Sequence, residues 1–177
     1  MRKFYIFLSI IKHKAQRVAV LMDVQNLYHS AKNLFNARVN FKEILKTAVA
    51  GRNLVRAIAY VIRTESGDEK TFLDALTQIG IETKLKDLQI FPGGAKKADW
   101  DVGIAIDAVK LGKKIDALVL MSGDGDFLPL ITYLHEVNGI QVEVVAFARS
   151  SSQRLKEEAD DFVDIGSDSR KYLMRIK

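Results

Sequence analysis

The chain has 177 residues, of which 48% are hydrophobic, and its 27 basic and 22 acidic residues give a formal net charge of +5. This length is enough for one domain with a substantial core, and the mild basic excess suits a polyanionic partner. The absence of cysteine excludes disulfides, thiolate metal sites and cysteine nucleophiles. Because the three histidines are also scattered, any metal would be held by oxygen, which favours Mg²⁺ or Mn²⁺ over zinc.

Residues 1–15 are predicted to form an extension in front of the domain. Arg2 and Lys3 precede a short apolar run, as in a signal peptide, but Lys12 follows the run and no small-residue cleavage site is evident. The run is too short to span a bilayer. We therefore expect a cytoplasmic protein without integral membrane association, and the apolar residues of the extension leave a homodimer open.

Strands and helices are predicted to alternate through the rest of the chain. Strands are predicted over 17–22, 53–63, 81–91, 115–121, 141–147 and 162–165. Helical spacing follows the first strand through Phe35 and recurs over 41–50, 65–79, 98–112, 127–138 and 150–158. This alternation predicts one α/β domain over 16–166, with a parallel sheet covered on both faces, and a tail over 167–177.

Two of the predicted strands run directly into carboxylates. Asp23 ends the first, and Asp124 and Asp126 follow the apolar run that ends at residue 121. Parallel strands place their carboxyl ends at one edge of a sheet, and a helix starting near Asp99 or Asp101 begins at that same edge. Such a cluster of carboxylates needs a cation to offset its charge. The pattern therefore predicts Mg²⁺ or Mn²⁺ and metal-assisted hydrolysis of a phosphodiester.

Several of these residues also have a purely structural interpretation. Asp126 is placed to cap a helix, Asp101 to interact with a helix dipole, and Asn26 either to cap a helix or to orient a water. Asp107 is predicted to be solvated, since a helical wheel puts it opposite a core face that comprises Val102, Ala105, Ile106 and Val109.

Four cations are candidates for contacts with a nucleic-acid backbone. Lys96 and Lys97 follow a flexible glycine pair beside the predicted site, and Arg63 and Arg149 lie near predicted strand ends. Cations in such positions hold phosphates, although a solvated surface is an equally simple interpretation.

Three segments together resemble the signature segments of the NYN domain, in particular its LabA-like group, bacterial relatives of the PIN-domain nucleases. The resemblance runs from Arg17 to Ile165 and rests on the segments 18–27, 97–102 with Asp107 and Ala108, and 118–127. The first motif of the family usually has Gly where Val24 stands, a departure that leaves the acidic side chains intact.

The resemblance implies a three-layer α/β/α PIN-like, Rossmann-like fold with a mostly parallel sheet in the strand order 3-2-1-4-5. It also implies ribonuclease activity on single-stranded or structured RNA, with Mg²⁺ or Mn²⁺. By position, Asp23, Asp101 and Asp124 would be the metal ligands and Asn26 and Asp126 would support them. The family pattern also includes an acid at Asp107, in conflict with the helical wheel.

Other functions compete with a ribonuclease. A regulatory module that binds RNA or protein and keeps only a weak nuclease site is the main alternative. A phosphatase of the haloacid-dehalogenase type would need an Asp-x-Asp pair after the first strand, where Gln25 stands instead. Dinucleotide binding would need a Gly-rich loop after Met22, which is absent.

Overall fold

The computed structural model describes residues 10–63, 69–94 and 96–176, and for Lys96 and Lys97 it describes the backbone alone. Most of the predicted N-terminal extension and the predicted helix start at 65 lie outside the described residues. Among the helices that are described, none has the length and apolar character needed to traverse a lipid bilayer.

Helices and strands alternate along most of the described chain. The helices are α1 (Val24–Phe35), α2 (Phe41–Val49), α3 (Lys70–Gln78), α4 (Asp101–Gly112), α5 (Leu128–Tyr133), α6 (Gln153–Glu158) and α7 (Ser169–Tyr172). The strands are β1 (Arg17–Asp23), β2 (Ala37–Val39), β3 (Asn53–Arg63), β4 (Glu82–Asp87), β5 (Gln89–Ile90), β6 (Lys96–Lys97), β7 (Ala117–Met121), β8 (Gln141–Ala146), β9 (Asp161–Asp164) and β10 (Leu173–Arg175). A 3₁₀ turn, Gly125–Phe127, precedes α5.

Six strands form a parallel sheet in the order β4-β3-β1-β7-β8-β9. Counted along the chain within this sheet, the first five strands follow the predicted order 3-2-1-4-5, and β9 adds a sixth at the edge. Outside this sheet, β2 pairs with β10 and β5 pairs with β6, both antiparallel. The predicted α/β fold is confirmed, and the strand order differs from the prediction only in detail.

Helices cover both faces of the sheet, so β1 and β7 are buried on two sides and are apolar almost throughout. One core layer lies between the sheet and the helices α1, α2, α3 and α7 and includes Leu27, Ile44, Leu76 and Tyr172. The other lies on the opposite face, beneath α4, α5 and α6, and includes Ile104, Ile131 and Leu155. This two-sided packing fixes the carboxyl ends of β1 and β7 next to each other.

Helix α4 packs on the sheet through a different face from the predicted one. Val102 and Ile106, which the helical wheel assigned to the core, are 69% and 49% exposed, whereas Ile104 and Ala108 are fully buried. Apolar residues surround most of this helix, so periodicity alone could not select its buried face. Packing against β1 and β7 makes that selection.

Residues 167–177 include α7 and β10, rather than a tail alone. Strand β10 pairs with β2, and the buried Tyr172 places its hydroxyl 3.1 Å from the Thr47 hydroxyl of α2. This segment therefore packs on α2 and β2 as part of the fold. Elements of three or four residues are too short to show a periodic pattern in the sequence.

A buried ion pair joins the loop between α2 and β3 to β8. The fully buried Arg52 guanidinium donates to both carboxylate oxygens of Glu143, at 2.5 and 3.1 Å, and to the Ala48 carbonyl. Lys12 Nζ lies 2.9 Å from Glu143 and 2.8 Å from Asp161. The network therefore also attaches the segment before β1 to β8 and β9.

Candidate functional site

Asp23 ends β1 and also caps α1. Its side chain accepts hydrogen bonds from the Asn26 N–H and from the Ser122 hydroxyl, both at 3.1 Å. The side-chain oxygen of Asn26 in turn accepts from the Gly123 N–H at 3.0 Å. The hydrogen bonds of Asp23 and Asn26 therefore connect the start of α1 to the turn after β7.

The turn after β7 presents Asp124 and Asp126. Asp124 caps the 3₁₀ turn by accepting from the Asp126 N–H at 2.9 Å, so the cap precedes the residue predicted from the sequence. The Ser122 hydroxyl accepts from the Asp124 N–H and holds this turn in place. Glycine at position 123 leaves room for Ser151, because a Cβ there would clash with the Ser151 hydroxyl oxygen and lie 3.0 Å from its Cα, and Ser151 would have to shift.

Asp101 is the first residue of α4, and the preceding Trp100 fixes the start of this helix without a side-chain cap. The indole N–H of Trp100 donates to the Val61 carbonyl at 3.1 Å, and its ring packs edge-on against Tyr60 with the centroids 5.4 Å apart. The Lys86 ammonium lies 4.6 Å from the indole centroid. These contacts hold the segment that carries Asp101, so Trp100 does more than fill space.

Three carboxylates meet at this edge of the sheet. Asp101, Asp124 and Asp126 each place an oxygen within 4.8 Å of the other two. Burial, together with the negative charges of Asp124, Asp23, Asp99 and Asp126, raises the pKa of Asp101 to about 6. Burial also raises the pKa of Asp23, although its hydrogen bonds oppose this shift. The site carries excess negative charge that a cation would offset.

An open cavity of about 320 Å³ lies beside these carboxylates. Four acids line it: Asp23, Asp99, Asp101 and Asp124. Helix α1 adds the polar residues Gln25, Asn26, His29, Ser30 and Asn33. Apart from Asn26, the sequence analysis did not assign these α1 residues to the site. The sequence feature that could have indicated them is the spacing of four between residues 25, 29 and 33, which puts these three side chains on one face of the helix.

Asp107 lies on α4 away from the three clustered carboxylates and does not line the cavity. Its side chain is only 13% exposed, and it accepts from the Tyr60 hydroxyl at 2.7 Å and the Lys84 ammonium at 2.6 Å. The prediction of a solvated side chain was wrong because α4 is rotated relative to the predicted wheel. The contacts of Asp107 connect α4 to β3 and β4.

The predicted phosphate-contacting cations occupy different environments. Arg63 is paired with Asp87 at 2.7 Å, whereas Arg149 is exposed and precedes Ser150, which lines the cavity. Lys96 and Lys97 form strand β6, which pairs with β5. The sequence did not show that Lys86 would donate to the Asp99 carbonyl at 2.6 Å, next to the acidic residues.

In buffer containing EDTA, the Asp101→Asn variant is expected to unfold at a higher Tm than the parent at pH 8. The native pKa of Asp101, about 6, exceeds the ordinary aspartate value of 3.8, so the folded parent gains stability as pH falls through 6. The difference in Tm between the variant and the parent should therefore disappear towards pH 4. Solvent screening of this partly exposed carboxyl limits the gain to about 1 kcal/mol, or about 2–4 °C.

Thermal unfolding followed by circular dichroism across this pH range measures this difference. Asp74→Asn is the matched control, because Asp74 is exposed on α3 and makes no ion pair with another described residue. A difference in Tm that is independent of pH, or that grows at low pH, would show that burial and the neighbouring acids do not raise the pKa of Asp101.

Comparisons with known proteins give a consistent result. The sequence profile of the NYN domain family matches residues 17–167. The chain is 25% identical to the Low amplitude and bright protein LabA of Synechococcus elongatus, over 93% of this chain and 91% of that protein. The structure of the present chain is similar to the crystal structure of VPA0982, a protein of unknown function from Vibrio parahaemolyticus. The TM-score is 0.83 and the identity 30%, and the match covers 93% of this chain and all of the other.

Proposed function

Because this chain belongs to the NYN domain family, whose members have a PIN-like nuclease fold, we propose that it is a metal-dependent ribonuclease. The proposed reaction is hydrolysis of an RNA phosphodiester in the acidic cavity. The observation that carries the proposal is the convergence of Asp101, Asp124 and Asp126 within 4.8 Å at the carboxyl edge of the sheet. Ligand sites of open α/β sheets are typically found at this edge.

The donor set fits a hard divalent cation. Carboxylate oxygens are the preferred protein ligands of Mg²⁺ and Mn²⁺. The pKa of Asp101 is raised by burial and by neighbouring negative charge, and such an ion would offset that charge. Asp101, Asp124 and Asp126 would hold it. Asp126 then takes the place among the ligands that the sequence resemblance gave to Asp23, and Asp23 is a fourth carboxylate next to them. When bound, such an ion offsets charge on the phosphodiester and activates water for attack.

The rest of the site positions these carboxylates. The Ser122 hydroxyl donates to Asp23 and accepts from the Asp124 backbone, so it links the ends of β1 and β7. Asn26 holds the Gly123 backbone, which fixes the turn that carries Asp124. A site held in this way needs little rearrangement before reaction, which is the main requirement for electrostatic catalysis.

Cleavage of single-stranded and structured RNAs, with Mn²⁺, with Mg²⁺ and with EDTA, tests the proposal. We expect cleavage with at least one of the two metals and none with EDTA. Cleavage in EDTA would contradict a metal-dependent mechanism. If RNA binds but is cut under none of these conditions, the protein is a regulatory RNA-binding module instead.

A further inference from the structure

A second surface, outside the carboxylate cluster, concentrates positive charge. We define the distal cationic surface by six exposed residues of α2, β2, α7 and β10: Arg38, Lys42, Lys46, Arg170, Lys171 and Arg175. Pairing of β2 with β10 and packing of α2 against α7 bring these two parts of the chain into one small layer. The four elements contain a single acid, Glu43.

The cations of this surface are not held in ion pairs by neighbouring acids. None of the six makes an ion pair with another residue in the described ranges. At the β3–β4 edge, in contrast, exposed arginines are paired: Arg56 with Glu82 and Arg63 with Asp87. The distal cationic surface therefore keeps its charge available for an external anion.

The surface begins close to the end of the acidic cavity. Asn33 and Leu34, in the last turn of α1, line that cavity. Arg38 follows Leu34 by four residues, so their Cα atoms are at most about 15 Å apart. A polymer that lies in the cavity along α1 can thus reach Arg38 within a few of its own repeating units.

We propose that the distal cationic surface binds the sugar–phosphate backbone of an RNA whose scissile bond lies in the acidic cavity. This inference rests on the proposed function. The clustered carboxylates repel phosphate, so a large part of the affinity for RNA must come from cations elsewhere on the protein. Contacts with phosphates position a strand without selecting its sequence.

The chemistry of the surface favours RNA over an anionic membrane. A helix that lies on a membrane presents a broad apolar face, whereas α2 presents the exposed cations Lys42 and Lys46 and buries its apolar residues. The exposed large apolar residues nearby are Met174 and Ile176, at 47% and 37%. They are too few to anchor the domain in a lipid surface.

The affinity for a fluorescein-labelled single-stranded RNA, measured by anisotropy in EDTA at several salt concentrations, tests the proposal without cleavage. The distal variant carries Arg38→Gln, Lys42→Gln and Lys46→Gln. The control variant has the same net charge as the distal variant. It carries Lys110→Gln, Lys113→Gln and Lys114→Gln, at and just after the end of α4 that lies away from Asp101. We expect the distal variant to lose at least about tenfold in affinity and its salt slope to fall by about 2, with little change in the control.

Three further measurements complete the test. A second distal variant, with Arg170→Gln, Lys171→Gln and Arg175→Gln, should reproduce the loss, and cleavage of a dinucleotide with Mn²⁺ should be unchanged in both distal variants. Equal losses in the distal and control variants, or no loss in either distal variant, would overturn the proposal. The proposal would also be overturned if vesicles of phosphatidylcholine and phosphatidylserine bind the parent but not the distal variants, while the distal variants keep the RNA affinity of the parent. If none of the proteins cleaves either the dinucleotide or a longer RNA, the proposed function is overturned instead.

Discussion

The Asp124→Asn variant is expected to cleave RNA at least about 100-fold more slowly than the parent with Mn²⁺ or Mg²⁺. The substitution removes one negative charge from the group in which Asp101, Asp124 and Asp126 lie within 4.8 Å of one another. The side-chain oxygen of Asn can still accept the hydrogen bond from the Asp126 N–H, so the turn should keep its shape. Initial cleavage rates at saturating metal measure the effect.

Two controls separate a loss of chemistry from a loss of structure. Asp74→Asn makes the same chemical change at an exposed acid on α3, and it should leave the cleavage rate unchanged. The Tm of Asp124→Asn should equal or exceed that of the parent, because repulsion within the cluster is reduced. Cleavage that survives in Asp124→Asn would mean that the activity comes from a contaminant or from another site.

Replacing Arg52 by Met is expected to lower the free energy of unfolding by about 3–5 kcal/mol. The guanidinium is fully buried and makes two hydrogen bonds to Glu143, whose side chain is 1% exposed. Without Arg52, this carboxylate stays buried and, within the described ranges, keeps an ion pair with Lys12 alone. Urea unfolding, with the slope checked for two-state behaviour, measures the loss.

An exposed arginine pair gives the comparison. Arg56 also makes two hydrogen bonds to a carboxylate, that of Glu82, but these side chains are 39% and 51% exposed. Arg56→Met should therefore cost no more than about 1 kcal/mol. Adding Glu143→Leu to Arg52→Met should recover part of the loss, because the buried charge is then removed. Equal costs for the two arginine variants would contradict the assigned role of burial.

Acidic residues at strand ends could be located from local sequence alone. The apolar runs that precede Asp23 and Asp124 are long enough to be buried strands, and parallel strands share an edge. Accordingly, the structure places Asp101, Asp124 and Asp126 together and Asp23 beside them. The order of the first five sheet strands also follows the resemblance seen in the sequence.

Other features depended on packing between distant segments. The rotation of α4 put Asp107 against Tyr60 and Lys84, because the sheet selected the face with Ile104 and Ala108 over an equally apolar alternative. Likewise, a hydroxyl such as that of Ser122 gains its role from Asp23, which is 99 residues away in the chain.

By itself, the sequence determined the α/β class, the strands that end in acids and the carboxylate chemistry of the candidate site, since each depends on neighbouring residues. Only the tertiary structure decided which carboxylates come together and that Trp100 anchors the start of α4. It also decided that the last residues fold onto β2 to complete the distal cationic surface. These features rest on contacts between residues far apart in the chain, and local periodicity carries no information about such contacts.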